Sequence, residues 1–396
     1  MRKAVAVVLA TFLFAFVASA QAVPKTLVLD GSLLEKHRVE LAAGKNERIE
    51  ALIKAANKIL KSGRTYSVTK KSQTPPSGSK NDYMSLGPYW WPDPSKPNGL
   101  PYVRRDGERN PEIKNIPDDT EYNGMLEDSE ALALAYFFTR DEKYAKQAAT
   151  LLRAWFLDPK IRMNPNLNFG QGIPGISAGR GIGMIETRNM FRAIDAAIIL
   201  QASHAWPASD HQALKAWFRE FVRWTIESPL GRDEADERNN HGTFYDVQVV
   251  AYAIFTDQMD LAKRQLEVTK SRIASQIEPD GSQPHELERT LSWGYVNMNA
   301  SGFVTLARLG ESAGVDLWNY QTKDGRSIRK ALEWIVPYAS GEQEWTHKQI
   351  KPRAYDLTIP LLEITAAKYN RPEYSTVAMR LRKDGDKESF RYLGSY

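Results

Sequence analysis

From residue 125 onward one pattern dominates the sequence. Apolar residues recur near a 3.6-residue period at roughly 125–139, 142–157, 187–203, 208–228, 239–255, 258–276, 286–309, 323–338, 356–369 and 373–383. An earlier stretch, about Asp30 to Ser62, carries the same period through Leu41, Ile49, Leu52, Ile53, Ala56 and Ile59. Strand-like alternation is scarce. The joints are mostly short, as in FTRDEKY, so consecutive helices are expected to lie side by side and antiparallel. The chain is therefore expected to be all-α. No repeat of 34 or 40 residues underlies the helices, which favours a closed (α/α)n toroid over an open solenoid, with a multi-helical bundle as the alternative.

Composition adds bounds. With 396 residues, 42% hydrophobic and 26% charged, the chain can bury a large core. Its first 22 residues stand apart: Arg2 and Lys3, an apolar run from Ala4 to about Val17, then ASAQA. That is the form of a secretory leader, with cleavage expected after Ala22 and a single toroidal domain over 23–396. The apolar run is shorter than the roughly 18–20 residues a spanning helix needs, so a periplasmic or secreted protein is expected, not a membrane-anchored one. There is no cysteine, hence no disulfide and no thiolate metal site. Losing the leader lowers the net charge from +5 to +3, because residues 1–22 hold two basic and no acidic groups. That gives no argument for nucleic acid, while a local positive cleft for an acidic ligand stays open.

Two stretches interrupt the helices. Residues 63–120 are rich in Pro, Gly, Asp and aromatics, with Tyr83, Tyr89, Trp90, Trp91 and Tyr102 close together, and are expected to form a long ordered loop. Residues 164–183 carry Gly170, Gly172, Gly175, Gly179, Gly181 and Gly183. The first three spell GxGxxG, but Asn and Pro precede them where a dinucleotide site needs a strand. What such glycines permit is close backbone approach to a ligand or a neighbouring segment.

The chemistry narrows by elimination. The histidines His37, His204, His211, His241, His285 and His347 form neither HxxxH nor HExxH, and GxSxG is absent. No cofactor is expected, although sequence leaves a bound calcium ion open. Glu127/Asp128, Asp233/Glu234 and Glu286/Glu288 could each supply half of a hydrolase pair. The remaining set is Asn240 and His241 at a helix start, Arg188, Arg289 and Tyr295. Those types suit β-elimination on a 4-linked uronate. Removing its C5 proton requires amide, imidazole or guanidinium groups to neutralise the carboxylate. The base is then a tyrosine lowered in pKa by a nearby arginine, or a neutral histidine, and a tyrosine hydroxyl can protonate the departing oxygen. Asn239-Asn240-His241 reads equally as a helix cap with a surface imidazole. Arg289 and Tyr295, six residues apart, fall roughly 120° apart on a straight helix, so Arg289 is expected either in the first turn or just before it, reaching along the cleft, or in a structural ion pair with Glu286.

RNNHGTFYDVQVV, then HELERTLSWGYVNMNA, preceded by GPYWWPDP and MNPNLNFGQGIPG, together resemble the alginate lyase superfamily of exported bacterial α/α-toroid polysaccharide lyases, over roughly residues 82–353. The resemblance implies that Asn240 and His241 bind and neutralise the uronate carboxylate, that Arg289 assists and that Tyr295 is the catalytic acid and also a candidate base. The Arg-to-Tyr spacing is one shorter than in that family, and Arg188 is a second candidate partner for the carboxylate. Tyr89, Trp90, Trp91, Tyr245, Asn168 and Gln171 are the expected substrate contacts. The expected partner is an acidic polysaccharide, most directly alginate, acted on by a monomer. Glucuronan and a carboxylate-pair hydrolase are the alternatives.

Overall fold

Local signals cut the helical pattern into shorter pieces than its period suggests, in the computed structural model that describes residues 23–44 and 46–382. The expected leader lies outside the described residues. The first helices are α1 (Gly31–Ala43), α2 (Glu47–Ser62), α3 (Asp118–Thr139), α4 (Glu142–Leu152), α5 (Phe191–Leu200) and α6 (Ala208–Glu227). They are followed by α7 (Pro229–Ala235), α8 (Asn240–Phe255), α9 (Met259–Gln276) and α10 (Pro284–Leu287). The last four are α11 (Ser292–Ala313), α12 (Ile328–Ser340), α13 (Thr358–Lys368) and α14 (Pro372–Leu381).

Caps account for the differences from the periodic reading. The stretch 30–62 divides because Gly44 ends α1 and the Asn46 side chain accepts from the N–H groups of Arg48 and Ile49, starting α2. Asp118, Asp119 and Glu121 occupy the first turn of α3, which begins earlier than its apolar period. α7 was not expected; Ser228 caps it by accepting from Gly231 N–H, and Pro229 takes the first helical position. The stretch 286–309 also breaks. Thr290 to Ser292 pair with another segment, the Ile350 N–H donating to Thr290 O at 2.9 Å and the Ser292 N–H to Lys348 O at 3.3 Å.

The helices form two layers. Residues 129–138 of α3 and 242–253 of α8 are buried without interruption, and α5 and α11 are buried around most of their circumference. In contrast α9 buries one stripe, Ala262, Leu266, Thr269, Ile273 and Gln276, against the inner layer. α3 packs on α4 and α5, α8 on α9, α6 and α11, and α13 on α14, which gives the expected toroid of antiparallel pairs. No helix among the described residues is long and apolar enough to cross a membrane.

Two features fasten the non-helical chain. The N–H groups of Leu27, Val28 and Leu29 donate to the Asp195 carboxylate of α5 at 2.5, 3.1 and 2.9 Å, while Arg308 of α11 donates to Val28 O at 3.4 Å. The aromatic loop is ordered. Its strand β1 (Met84–Leu86) pairs in parallel with β4 (Phe169–Gly172), and β2 (Trp90–Trp91) pairs antiparallel with β3 (Val103–Arg104). Lys71 anchors the start of the loop through an ion pair with Asp118 at 2.7 Å, both side chains shielded from solvent. Asp118 Oδ2 also accepts from Met84 N–H at 2.9 Å, tying β1 to the first turn of α3. Burial pushes the Asp118 carboxyl up to about 6 despite the ammonium beside it, and pushes the Lys71 ammonium down.

Removing one member of a buried pair leaves the other charge without compensation. Lys71→Met is therefore expected to destabilise the protein by about 3–5 kcal/mol, measured as the denaturant midpoint at neutral pH. An unchanged midpoint would remove the pair from the account of stability.

Candidate active site

The mouth of the inner ring holds a cavity of about 650 Å³ between the aromatic loop, the glycine-rich loop and the first turns of α8 and α11. Its wall brings together Tyr89, Trp90, Gln171, Arg188, Asn240, His241, Arg289 and Tyr295. These residues come from five separate parts of the sequence.

The start of α8 explains the Asn-Asn-His run. Asn239 is the cap, its side chain accepting from His241 N–H at 2.9 Å. Asn240 is buried, and its backbone N–H and Nδ2 donate to the two oxygens of Glu286 at 2.6 and 2.8 Å, leaving its Oδ1 without a partner. His241 is not a surface imidazole. Its Nδ1 lies 3.0 Å from Glu234 Oε1, and the Glu234 side chain has no exposure at all. Burial pulls the His241 pKa down, but the Glu234 carboxylate outweighs it, with Glu237 and Glu286 adding, so the net direction is up. Burial also raises Glu234 and lifts Glu286 to about 7.

Gly242 completes that run for a steric reason. A Cβ there would meet Arg272 Nη1 at 2.1 Å and Glu237 O at 2.2 Å. Arg272 reaches in from α9 to donate to Glu237 O, Ala235 O and Asp246 Oδ2 at 2.9, 2.7 and 2.8 Å, clamping the turn between α7 and α8.

Arg289 precedes α11 and is free of the 120° constraint. It donates to the Tyr295 hydroxyl at 2.7 Å, with its guanidinium carbon 3.8 Å from the ring centre. Its ion pair is with Asp106 of the aromatic loop at 2.8 Å, not with Glu286. Burial opposes ionisation of Asp106, yet Arg289 and the Thr290 hydroxyl hold it well below the usual carboxylate range. The Tyr89 and Tyr295 hydroxyls lie 2.9 Å apart. One expectation is corrected here: burial, with Tyr89 and Asp106 adding, raises the Tyr295 pKa even though Arg289 acts to lower it. The phenol is protonated in the resting site.

Arg188 spends one N–H on Ile185 O at 2.9 Å, and among the described residues no carboxylate lies within 4 Å of it. Gln171 takes a left-handed backbone conformation, φ 50°, and accepts from Arg180 through both its carbonyl and Oε1, at 2.9 and 2.8 Å. Arg180 in turn lies 5.8 Å from the centre of the Trp90 ring. Glu186 accepts from Tyr83 and Ser85 at 2.8 and 2.6 Å, and burial lifts it to about 7.

Three expected contacts lie outside the cavity wall. Asn168 Oδ1 accepts from Trp224 Nε1 at 3.0 Å, Trp91 is spent inside its own loop on Glu108 O and Arg105, and Tyr245 is buried deeper along α8. Conversely, Arg104, Arg109, Arg180, Glu186 and Glu237 line it without having been singled out. Arg180 had a signal: a charged residue between Gly179 and Gly181, whose added Cβ atoms would meet Asn168 O at 2.1 Å and Asp233 Oδ2 at 2.4 Å. The glycine-rich loop is thus a site of close backbone approach, not of dinucleotide binding. None of the carboxylate pairs is poised for hydrolysis: Asp128 binds the Tyr66 hydroxyl, Glu234 holds His241 and Glu286 holds Asn240.

Gly242→Ala must displace Arg272 or the turn carbonyl. It is expected to cost about 1–3 kcal/mol of stability and to lower activity beyond what the lost folded fraction explains. Thermal unfolding and turnover measured on the same sample check both, and wild-type values in each would contradict the clamp.

Comparison with known proteins places this architecture. A family model described as alginate lyase matches residues 67–345. A solved alginate lyase from Bacteroides ovatus is 36% identical, covering 94% of this chain and 100% of its own, with a TM-score of 0.89. Alginate lyase A1-III from Sphingomonas species A1 is 17% identical over 95% of this chain and 99% of its own, with a TM-score of 0.57. A histidine-to-alanine variant of A1-III, solved in complex with a tetrasaccharide, is 18% identical over 95% and 97%, with a TM-score of 0.62. No match is found among curated proteins.

Proposed function

The chain belongs to the alginate lyase family and is a polysaccharide lyase; from that premise we propose that it cleaves alginate by β-elimination, with His241 as base and Tyr295 as acid. The observation that carries the reading is the presence, in one cavity, of an imidazole held through Nδ1 and a protonated phenol held by Arg289.

The cavity wall is rich in guanidinium groups, from Arg104, Arg109, Arg180, Arg188 and Arg289, against the acids Asp119, Glu186 and Glu237. That balance suits a polyanion. The charge of Arg289 is already shared with Asp106, whereas Arg188, like Arg109 and Arg180 of the same wall, has no ion pair among the described residues. Arg188, the candidate the sequence also offered for this role, is the group assigned here to the uronate carboxylate, alongside the second Nδ2 hydrogen of Asn240. As the C5–H bond breaks, charge moves onto that carboxylate, and these donors stabilise it most at that moment. The electron pair forms C4=C5, the C4–O bond breaks, and Tyr295 gives its proton to O4. Tyr89 and Arg289, both bonded to the Tyr295 hydroxyl, are placed to take up the charge it leaves. Abstraction by His241 fits a unit whose C5 proton and O4 lie on opposite faces. Where both lie on one face Tyr295 must perform both transfers, and its raised pKa makes that the slower route.

Incubation with mannuronate-rich, guluronate-rich and glucuronate polymers tests the reading through the ultraviolet band of the conjugated C4=C5 bond. Reducing ends without that band would indicate hydrolysis. Tyr295→Phe is expected to keep the fold and lose on the order of 10²-fold or more in turnover, and near-normal turnover would remove it from the mechanism.

His241 gives the pH dependence. Its pKa is raised above the free value of 6.5, so lowering the pH through the raised pKa protonates the base and activity falls. His241→Gln should lose most of the rate together with that acidic limb. A variant retaining both leaves Tyr295 as the base for that substrate.

A further inference from the structure

We infer that Glu234 is a positioning residue that holds His241 in its Nδ1–H form, leaving the Nε2 lone pair to face the cavity. This rests on the elimination reading above and deepens it, since it names what makes the imidazole a base of fixed direction.

The argument begins with satisfaction of a buried charge. Glu234 is completely shielded; its Oε1 lies 3.0 Å from His241 Nδ1, and its Oε2 has no hydrogen-bond partner. Among the described residues the imidazole is thus the one hydrogen-bond partner of a carboxylate removed from water. An unpaired buried carboxylate is costly, so the arrangement is stable only with a hydrogen on Nδ1 directed at Oε1. The opposite tautomer would set two lone pairs against each other at 3.0 Å.

The carboxylate cannot easily move away. α7, which carries it, is capped by Ser228 and tied at its far end to α9 by the Arg272 bonds to Ala235 O and Glu237 O. It is also packed tightly on both sides: a Cβ on Gly231 would sit 1.8 Å from Thr225 O, and one on Gly181 would meet the Asp233 side chain at 2.4 Å. Rigid support of this kind is what a directed base requires. The charged groups that act on His241 are Glu234 of α7, Glu237 of the following turn and Glu286 of α10, while Arg104, Arg109, Arg180, Arg188, Arg289, Asp119 and Glu186 line the same cavity. Among the carboxylates Glu234 has the largest effect, and by stabilising the imidazolium it makes the neutral ring a stronger base.

The test reads the ring directly. Nitrogen-15 spectra of the histidine rings, with the His241 signals assigned by their loss in His241→Gln, are expected to show the neutral ring as Nδ1–H and a titration midpoint above 6.5. Glu234→Gln has the same shape without the charge. In it the midpoint should fall by about one pH unit, and the acidic limb of kcat on a uronan should move with it. Turnover should drop about tenfold or more, with KM and Tm close to wild type. An Nε2–H tautomer in the wild-type protein, or an unmoved midpoint in Glu234→Gln, overturns the inference. Should Glu234→Gln fail to fold, the wild-type tautomer decides the matter by itself. Failure of the elimination reading looks different: tautomer and midpoint as expected, but no unsaturated product from any uronan.

Discussion

An inner helix that is buried around most of its circumference must find a partner for every polar group it carries, and this constraint shapes the molecule. α3, α5, α8 and α11 are largely shielded from water, so buried polar side chains such as Asp195 and Asp246, and the backbone groups left open at a helix start, must be satisfied by the protein itself. At α8 this is done by Asn239 and by Glu286, which accepts the Asn240 N–H. The residues that end a hydrophobic helix are thereby the residues of the site.

Carboxylates behind the wall do the organising. Glu234, Glu286 and Asp106 each hold one functional side chain: His241, Asn240 and Arg289 respectively. The first two are buried acids with raised pKa values, and the third is held ionised by the arginine it positions. Donors bound in this way keep their geometry while the substrate's charge changes, which is the basis of electrostatic preorganisation. Arg188 differs: among the described residues it has no ion pair, and its one hydrogen bond goes to the Ile185 carbonyl.

The sequence showed the helices and half-showed the site. The 3.6-residue period marks a buried face wherever a helix is amphipathic, as in α9, but it blurs where helices are apolar all round, and it does not see caps. Gly44 therefore divides a stretch that the period ran through, and Ser228 starts a helix, α7, that the period did not show. Tyr245, expected as a substrate contact, lies one turn after His241, and on α8 one turn on is about 5.4 Å deeper into the core. Trp91 lies outside the cavity wall for a complementary reason: adjacent residues on a strand point to opposite faces, so Trp90 and Trp91 do not both meet the cavity. Glu234 and Glu286 were visible as acids, but sequence alone suggested solvated hydrolase partners, because burial 7 or 46 residues away from the group served leaves no local mark.

The Asp195 contact has a consequence for the order in which the molecule can be completed. Residues 27–29 are made more than 160 residues before the carboxylate that receives their N–H groups, and Arg308 follows later still. These contacts can form only once α5 and α11 have both been made, which puts the docking of this segment among the later steps of assembly.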